Sequence, residues 1–452
     1  MTNLAPHGRS TRCPRVFLVV LILSLVAAAC GTIEPESIAF ADTDAEQTTL
    51  RIATSRIEGF EAAIASWERD HPTVDIDVMF DSSEDHHEWL REGANGPIDI
   101  IAFEGEYSAE ARALPELFVD LNEHDLGDLE ADVLPARWNE GFADDGALIG
   151  LPIDVDAQVL IVRRDLLQPA TTRSLIEAEE WCDVIEAGND FVTETDTSFF
   201  GDGEEVLRAI LSQSRSSWVT ADGTIDSGAE SELLRAWNLA MLTVGVETLG
   251  PSPCPGLTGE ISIARDLEPG ESVWNGEIAN DNFAAVIAKW STRERISEAY
   301  PESAGRWLTV ALPIDDSRGP AGTSSEAGLH FGIAADSPHV DIALDFLLTI
   351  TDPVVQRSIF ADGLGPLPAA RSAYTNGSVP NAEDGFLVGT PTIGSVWADA
   401  VQGRSELIAS DGRPVVISSL VDALGRVQSE LDTPDEAWNR ALNNIVTELS
   451  ER

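Results

Sequence analysis

The sequence predicts an α/β fold, and three observations carry that prediction. Thr49–Ala53 (TLRIA), Val74–Phe80 and Pro97–Phe103 (PIDIIAF) are short apolar or alternating runs of strand length. An amphipathic helix over Phe60–His71, with Ile64 and Trp67 inward, separates the first two, and DSSEDH after the second supplies a helix start. The resulting β-α-β-α-β order requires right-handed crossovers and a mainly parallel sheet, whose ligands sit in the loops at the carboxyl ends of the strands. At 452 residues with 43% hydrophobic side chains, the chain has room for two or three domains with sizeable cores.

The chain opens with Arg9, Arg12 and Arg15 and then an apolar run, Val16–Ala29. That run falls short of the roughly 20 residues that span a bilayer, and with its basic flank it reads as a secretory signal. It ends Ala-Ala-Ala-Cys, which resembles a bacterial lipobox with Ala27 where leucine is usual; cleavage would leave Cys30 as a lipidated N-terminus. The alternative is an ordinary signal peptide cut near Ala29. Residues 31–48 are polar, acidic and without a period, and read with Cys30 as a tether (30–48) reaching on the order of 25 Å.

Acids outnumber bases, 78 to 28, and loss of the signal's three arginines would take the net charge from −50 to −53. There is one lysine, Lys289. Nucleic acid and anionic lipid surfaces need basic patches, so neither is an expected partner; the acids are spread through every segment and read as a solvated surface. Cys13 leaves with the signal and Cys30 goes to lipid. Cys182 and Cys254 remain, an even pair in an oxidising compartment, expected to form a disulfide, with two separate buried thiols as the alternative.

Beyond the third strand, Val119-Asp120-Leu121 is followed by Asp145-Gly146-Ala147-Leu148-Ile149-Gly150-Leu151-Pro152 and Val162-Arg163-Arg164-Asp165-Leu166. A mostly helical stretch runs to about Thr248, with a turn at SSWVTADGTIDSG (216–228) and an apolar helix over Leu233–Val246; Pro251–Gly270 is loop-like. Then come WNGEIANDNFAAVIAKW (274–290), a strand Trp307–Pro313, GLHFGIAADSP (328–338), a helix Val340–Leu348, GLGPLPAARSAY (363–374) and LDTPDEAW within Leu420–Leu449. In this order these phrases resemble the extracellular solute-binding proteins of bacterial ABC importers, the family that includes maltose-binding protein, over about 49–449. Ile149 and Val162 replace tyrosines of the family pattern, and Lys289 replaces its proline.

The resemblance implies a two-lobed periplasmic-binding-protein-like fold of type II, each lobe a mainly parallel sheet with flanking helices and the ligand cleft between lobes. It divides the chain into lobe one, 49–154 plus 281–328, and lobe two, 155–280 plus 329–452. It implies the substrate-binding component of an ABC importer, lipid-anchored to the outer face of the cytoplasmic membrane. The solute would be a neutral mono- or oligosaccharide captured by hinge closure; the permease is a partner, and a monomer without cofactor or metal is expected.

The residues themselves supply no Gly-x-Ser-x-Gly, Ser-x-x-Lys, His-Glu-x-x-His or phosphate loop. His86 and His87 point about 100° apart on a helix, unsuited to joint metal ligation. Sugar binding needs aromatic faces and hydrogen-bonding side chains at strand ends. The resemblance places the stacking tryptophan at Trp290. The loops after strands add Arg56, Asp81, Glu104, Glu106 and Tyr107; Asp154 and Asp156 stand beside the crossover, and Trp274, His330 and Trp397 complete the candidates, each with ordinary packing or surface placement as its alternative. Two other functions remain open: a binder of a cationic solute such as a polyamine, suggested by the acidic loops, and a surface-tethered glycosidase using carboxylates such as Glu104 or Asp156.

Overall fold

A computed structural model of the chain describes residues 47–451 except 55, 58, 80–82, 106–107, 215, 221–223, 268–271, 315–327, 362–364, 390–391 and 404–411. The signal segment, Cys30 and nearly all of the tether lie outside the described residues, as do Asp81, Glu106 and Tyr107. No described helix is long and apolar enough to cross a membrane.

Among the described residues, ten strands form two five-stranded sheets. They are β1 (Thr48–Ala53), β2 (Val74–Met79), β3 (Ile100–Glu104), β4 (Leu151–Pro152), β5 (Val159–Arg163), β6 (Ser198–Phe200), β7 (Phe283–Ala288), β8 (Trp307–Val310), β9 (Leu329–Ile333) and β10 (Leu387–Val388). The first sheet runs β2-β1-β3-β9-β4 and the second β10-β8-β5-β7-β6. Each is mixed: β1 pairs in parallel with β2 and β3, and β10 with β8 and β6 with β7, whereas β9 runs against β3 and β4 and β5 against β7 and β8. The cause is connectivity. Both β5 and β9 enter their sheets straight from the opposite sheet, at the end where the other strands leave, so they run backwards.

Strand membership corrects the expected division. Residues 283–288 and 307–310 pair with β5 in the second sheet, not the first, and 329–333 pair with β3 in the first sheet. The helices α12 (Val340–Thr351) and α13 (Pro353–Ala361) follow β9, and Ala343, Phe346, Leu347 and Ile350 pack with Leu50, Ile52, Ile100 and Phe331. The first sheet's elements are therefore 48–152 with 329–361, and the second's are 159–310 with the C-terminal helices.

Alternation along the strands explains the four cores. In β3, Ile100 and Ala102 join the core that holds Trp67 of α1 (Glu61–Asp70), while Ile101 and Phe103 join the opposite face with Leu90 and Phe118. In β5, Leu160 and Val162 face the largest core, and Val159 and Ile161 face the one holding Trp274, Trp290, Trp307 and Trp397. Both faces of each sheet are covered, which is why β7 is apolar throughout and β5 is apolar up to its last residue, Arg163. Gly332 is required by close approach: a Cβ there would lie 2.1 Å from the Ile149 carbonyl oxygen. Cys182, in the first turn of α7 (Trp181–Glu194), is bonded to Cys254 in the Pro/Gly-rich loop, with 5.3 Å between their Cα atoms.

Candidate functional site

Apart from β5 and β9, the strands of both sheets direct their carboxyl ends toward the segment that joins β4 to β5. Residues from three strand ends and that crossover meet there: Arg56 past β1, Glu104 at the end of β3, Asp154 and Asp156 on the crossover, and Lys289 and Trp290 past β7.

Arg56 is held by a turn in which the Thr54 hydroxyl donates to its carbonyl (2.9 Å) and accepts from its N–H (3.2 Å). Its guanidinium reaches Asp154 Oδ2 at 2.9 Å and lies 3.7 Å from Glu104 Oε2. Asp154 is buried; its Oδ1 accepts the Leu329 N–H at 2.6 Å, and its carbonyl accepts Arg137 Nε at 3.1 Å. Arg137, on α5 (Pro135–Glu140), is buried too and ion-paired with Glu140. It also donates from Nη2 to His330 Nδ1 (3.1 Å), while His330 Nε2 donates to the Arg137 carbonyl (2.8 Å). Because Arg can only donate and a carbonyl can only accept, these contacts assign a neutral His330 protonated on Nε2.

Asp156 is 5% exposed. Its Oδ1 accepts the Ala157 N–H at 2.9 Å and the Trp290 N–H at 3.3 Å. Burial pushes its carboxyl up to about 6; the charges of Lys289 and Arg56 pull it back, and Asp154 adds to the rise.

The candidate aromatic residues sit inside the packing. Trp290 is 5% exposed; its indole N–H donates to the Gly365 carbonyl at 2.9 Å, its ring meets Trp397 edge-on at 5.2 Å, and the Arg293 guanidinium covers it at 5.2 Å. Trp397 and Trp274 are fully buried, the latter against Phe283. His330 is 1% exposed and stacks on Phe103. In this conformation none of the four presents a face to a solute; the polar side chains Arg56, Glu104, Asp154 and Asp156 are what the structure brings together.

Sequence reasoning missed one group at a strand end. Asp202 follows β6 and caps α8 (Gly203–Ser212), its carboxylate accepting the Glu204 N–H at 2.8 Å. It lines a recess with Phe200, Gly201, Glu205, Trp274 and Ile287. Burial pushes its carboxyl up to about 8; the Glu204 N–H opposes the rise, and Glu205, Glu204 and Asp266 add repulsion. The available signal was the Asp-x-x-Glu spacing of Asp202 and Glu205 directly after an aromatic strand, a helix start whose burial the sequence does not express.

Elsewhere, Ser337, His339 and Asp99 meet, but without the order of a nucleophilic triad. The Ser337 hydroxyl donates to Asp99 Oδ1 at 2.6 Å, His339 Nδ1 lies 3.0 Å from the same oxygen, and Oδ2 accepts the Arg51 N–H. No base is placed on the hydroxyl. Among the described residues, no group of three or more His, Cys, Asp or Glu side chains is arranged to hold a metal ion.

The family model described as bacterial extracellular solute-binding protein matches residues 53–357. A search of curated proteins found no match. Among solved structures, an extracellular solute-binding protein of family 1 is similar, with a TM-score of 0.74 at 18% identity, covering 89% of this chain and 100% of that one. The sugar-binding protein MalE from Xanthomonas citri follows at 0.67 and 18%, covering 90% and 98%. An ABC-transporter-associated binding protein from B. animalis subsp. lactis, in complex with β-1,6-galactobiose, gives 0.65 and 13%, covering 89% and 98%.

Proposed function

The chain belongs to the bacterial extracellular solute-binding protein family, and from that premise we propose that it is the substrate-binding component of an ABC importer, capturing a neutral mono- or oligosaccharide. One observation carries the reading: the carboxyl ends of strands from both sheets converge on a single crossover with Arg56, Glu104, Asp154 and Asp156, the place where open α/β sheets bind ligands. Two similar structures are described with sugars, β-1,6-galactobiose and α-D-tagatose, which supports a sugar here as well.

Capture would proceed by closure about the crossover. Hydroxyls of a sugar are satisfied by charged donors and acceptors only when both lobes reach them, so affinity and closure rise together, and the closed form is what a permease reads. Export and a lipid on Cys30, with 31–48 as tether, would hold the binder beside that permease. The protein acts as a binder and not as a glycosidase.

The cationic-solute alternative draws support from the recess at Asp202, where Glu204, Glu205 and Asp266 crowd a buried carboxyl. Thermal-shift measurements with maltose, β-1,6-galactobiose and D-tagatose against spermidine and putrescine separate the readings. At 100 times its dissociation constant a bound sugar should add about 2.7 kcal/mol of stability, with no hydrolysis. Stabilisation by the polyamines alone, or turnover of a glycoside that is lost in Asp156→Ala, would overturn the proposal.

A further inference from the structure

Lys289 is the one ammonium side chain in 452 residues; every other strong base is an arginine. Composition alone would place an arginine at 289, so a lysine there points to a need for a compact point charge and not a planar fork. Its place in the fold is specific. It follows the six buried residues of β7 and precedes Trp290, at the carboxyl end that faces the crossover. Its backbone is fixed: its N–H donates to the Thr292 hydroxyl at 3.2 Å and its carbonyl accepts the Thr292 N–H at 3.0 Å, where α11 (Thr292–Ala299) begins. The side chain is partly buried.

Asp156 accepts the N–H of the adjacent Trp290 at 3.3 Å, and its buried carboxyl is acted on by the charges of Lys289 and Arg56, with Asp154 of the same crossover repelling. Stability does not require such an arrangement, because apolar side chains of similar volume pack a junction as well or better. A buried carboxylate under the charge of the chain's one lysine, at converging strand ends, is the pattern of a working site.

We propose that Lys289 contacts the bound solute and helps determine specificity, its ammonium donating to an oxygen acceptor of the ligand while Asp156 positions it; this rests on the solute-binding reading above. The solute class that follows is a polyol or sugar, neutral or bearing a carboxylate, and not a polyamine, which Lys289 repels. Asp156 acts through Lys289. Protonation of Asp156 below about pH 6 therefore loosens the ammonium's hold, and affinity falls on that side.

The single lysine makes the test direct. The full-length mature chain is treated with an amine-acetylating ester, and modification of Lys289 is followed by peptide mass spectrometry with and without maltose, β-1,6-galactobiose or D-tagatose. Calorimetric titration of wild type, Lys289→Gln, Lys289→Arg and Asp156→Asn runs alongside, between about pH 5 and pH 8. A bound sugar should slow acetylation of Lys289 about tenfold or more, and Lys289→Gln should bind it about tenfold or more weakly, with Lys289→Arg failing to restore full affinity. Asp156→Asn should bind with a flat pH profile. Ligand-free melting within about 2 °C of wild type separates a binding effect from misfolding. A sugar that binds Lys289→Gln as tightly as wild type, or leaves acetylation unchanged, overturns this inference and leaves the solute-binding reading standing; a chain that binds none of the sugars overturns both.

Discussion

Replacing Asp202 by Asn tests the buried carboxyl at the carboxyl end of β6. The amide keeps the helix cap, because its oxygen accepts the Glu204 N–H as the carboxylate does at 2.8 Å, and Asn and Asp serve about equally as N-caps. What changes is the titration. The carboxyl moves from 3.8 to about 8 on folding, so the folded chain holds a proton that the unfolded chain releases. The stability this group contributes is fully present below pH 3.8 and is lost as pH rises, until about 8 is passed. At pH 7, about three pH units into that window, the loss is at most about 4 kcal/mol, at about 1.4 kcal/mol per unit. Asp202→Asn should abolish this component, making the variant more stable than wild type at pH 7 and leaving the two closer at pH 5. Urea unfolding of both proteins at several pH values measures it, and taking the difference cancels the pH dependence of the other 77 acids. Parallel stability–pH curves, or a variant less stable than wild type by more than about 1 kcal/mol at pH 7, would refute the placement of a buried carboxyl at this helix start.

Two further predictions follow from covalent and long-range terms. The disulfide joins residues 72 apart, and its loss in Cys182→Ala/Cys254→Ala should cost about 4 kcal/mol through the entropy of the unfolded chain; a melting temperature unchanged between the variant and wild type would contradict this. A net charge of −50 repels itself across the whole surface. Raising salt from about 0.1 M to about 1 M shortens the screening length from about 10 Å to about 3 Å, so the urea midpoint should rise with sodium chloride. A midpoint indifferent to salt would mean that the acids are balanced locally by the 28 bases.

The first three strands and the helix between the first two were legible because each shows a local period, and β1 begins one residue before its expected start. Lobe membership was not. β7 and β9 are both short and buried on both faces, so nothing in Phe283–Ala288 or Leu329–Ile333 says which sheet each will join. That choice is made by pairing with β5 and β3, more than a hundred residues earlier in the chain. The tryptophans show the same limit from the other side. Trp274, Trp290 and Trp397 stand in apolar surroundings, and an aromatic there reads equally as a stacking platform or as core; the structure encloses all three. Asp154 and Asp156, in contrast, stood out as carboxylates between two strands, and both lie at the junction.

The two carboxylates, separated by Val155, divide their bonds between the sheets. Asp154 is fastened to the first: its Oδ1 takes the Leu329 N–H at the start of β9, its carbonyl takes Arg137, and Arg137 is locked in turn by Glu140 and His330. Asp156 is fastened to the second, through the Trp290 N–H beyond β7 and the neighbouring charge of Lys289. Val155 lies between them, its N–H donated to the Leu367 carbonyl at 2.9 Å. In the closure proposed above, the dihedrals around Val155 would be one place where the lobes turn against each other, since the residues on either side are tied by buried bonds to different sheets. Arg56 and Lys289 reach this segment from opposite sheets. On the solute-binding reading proposed above, an acceptor drawing both toward itself would pull on the crossover from both sheets at once, which is how cations placed there would couple binding to closure.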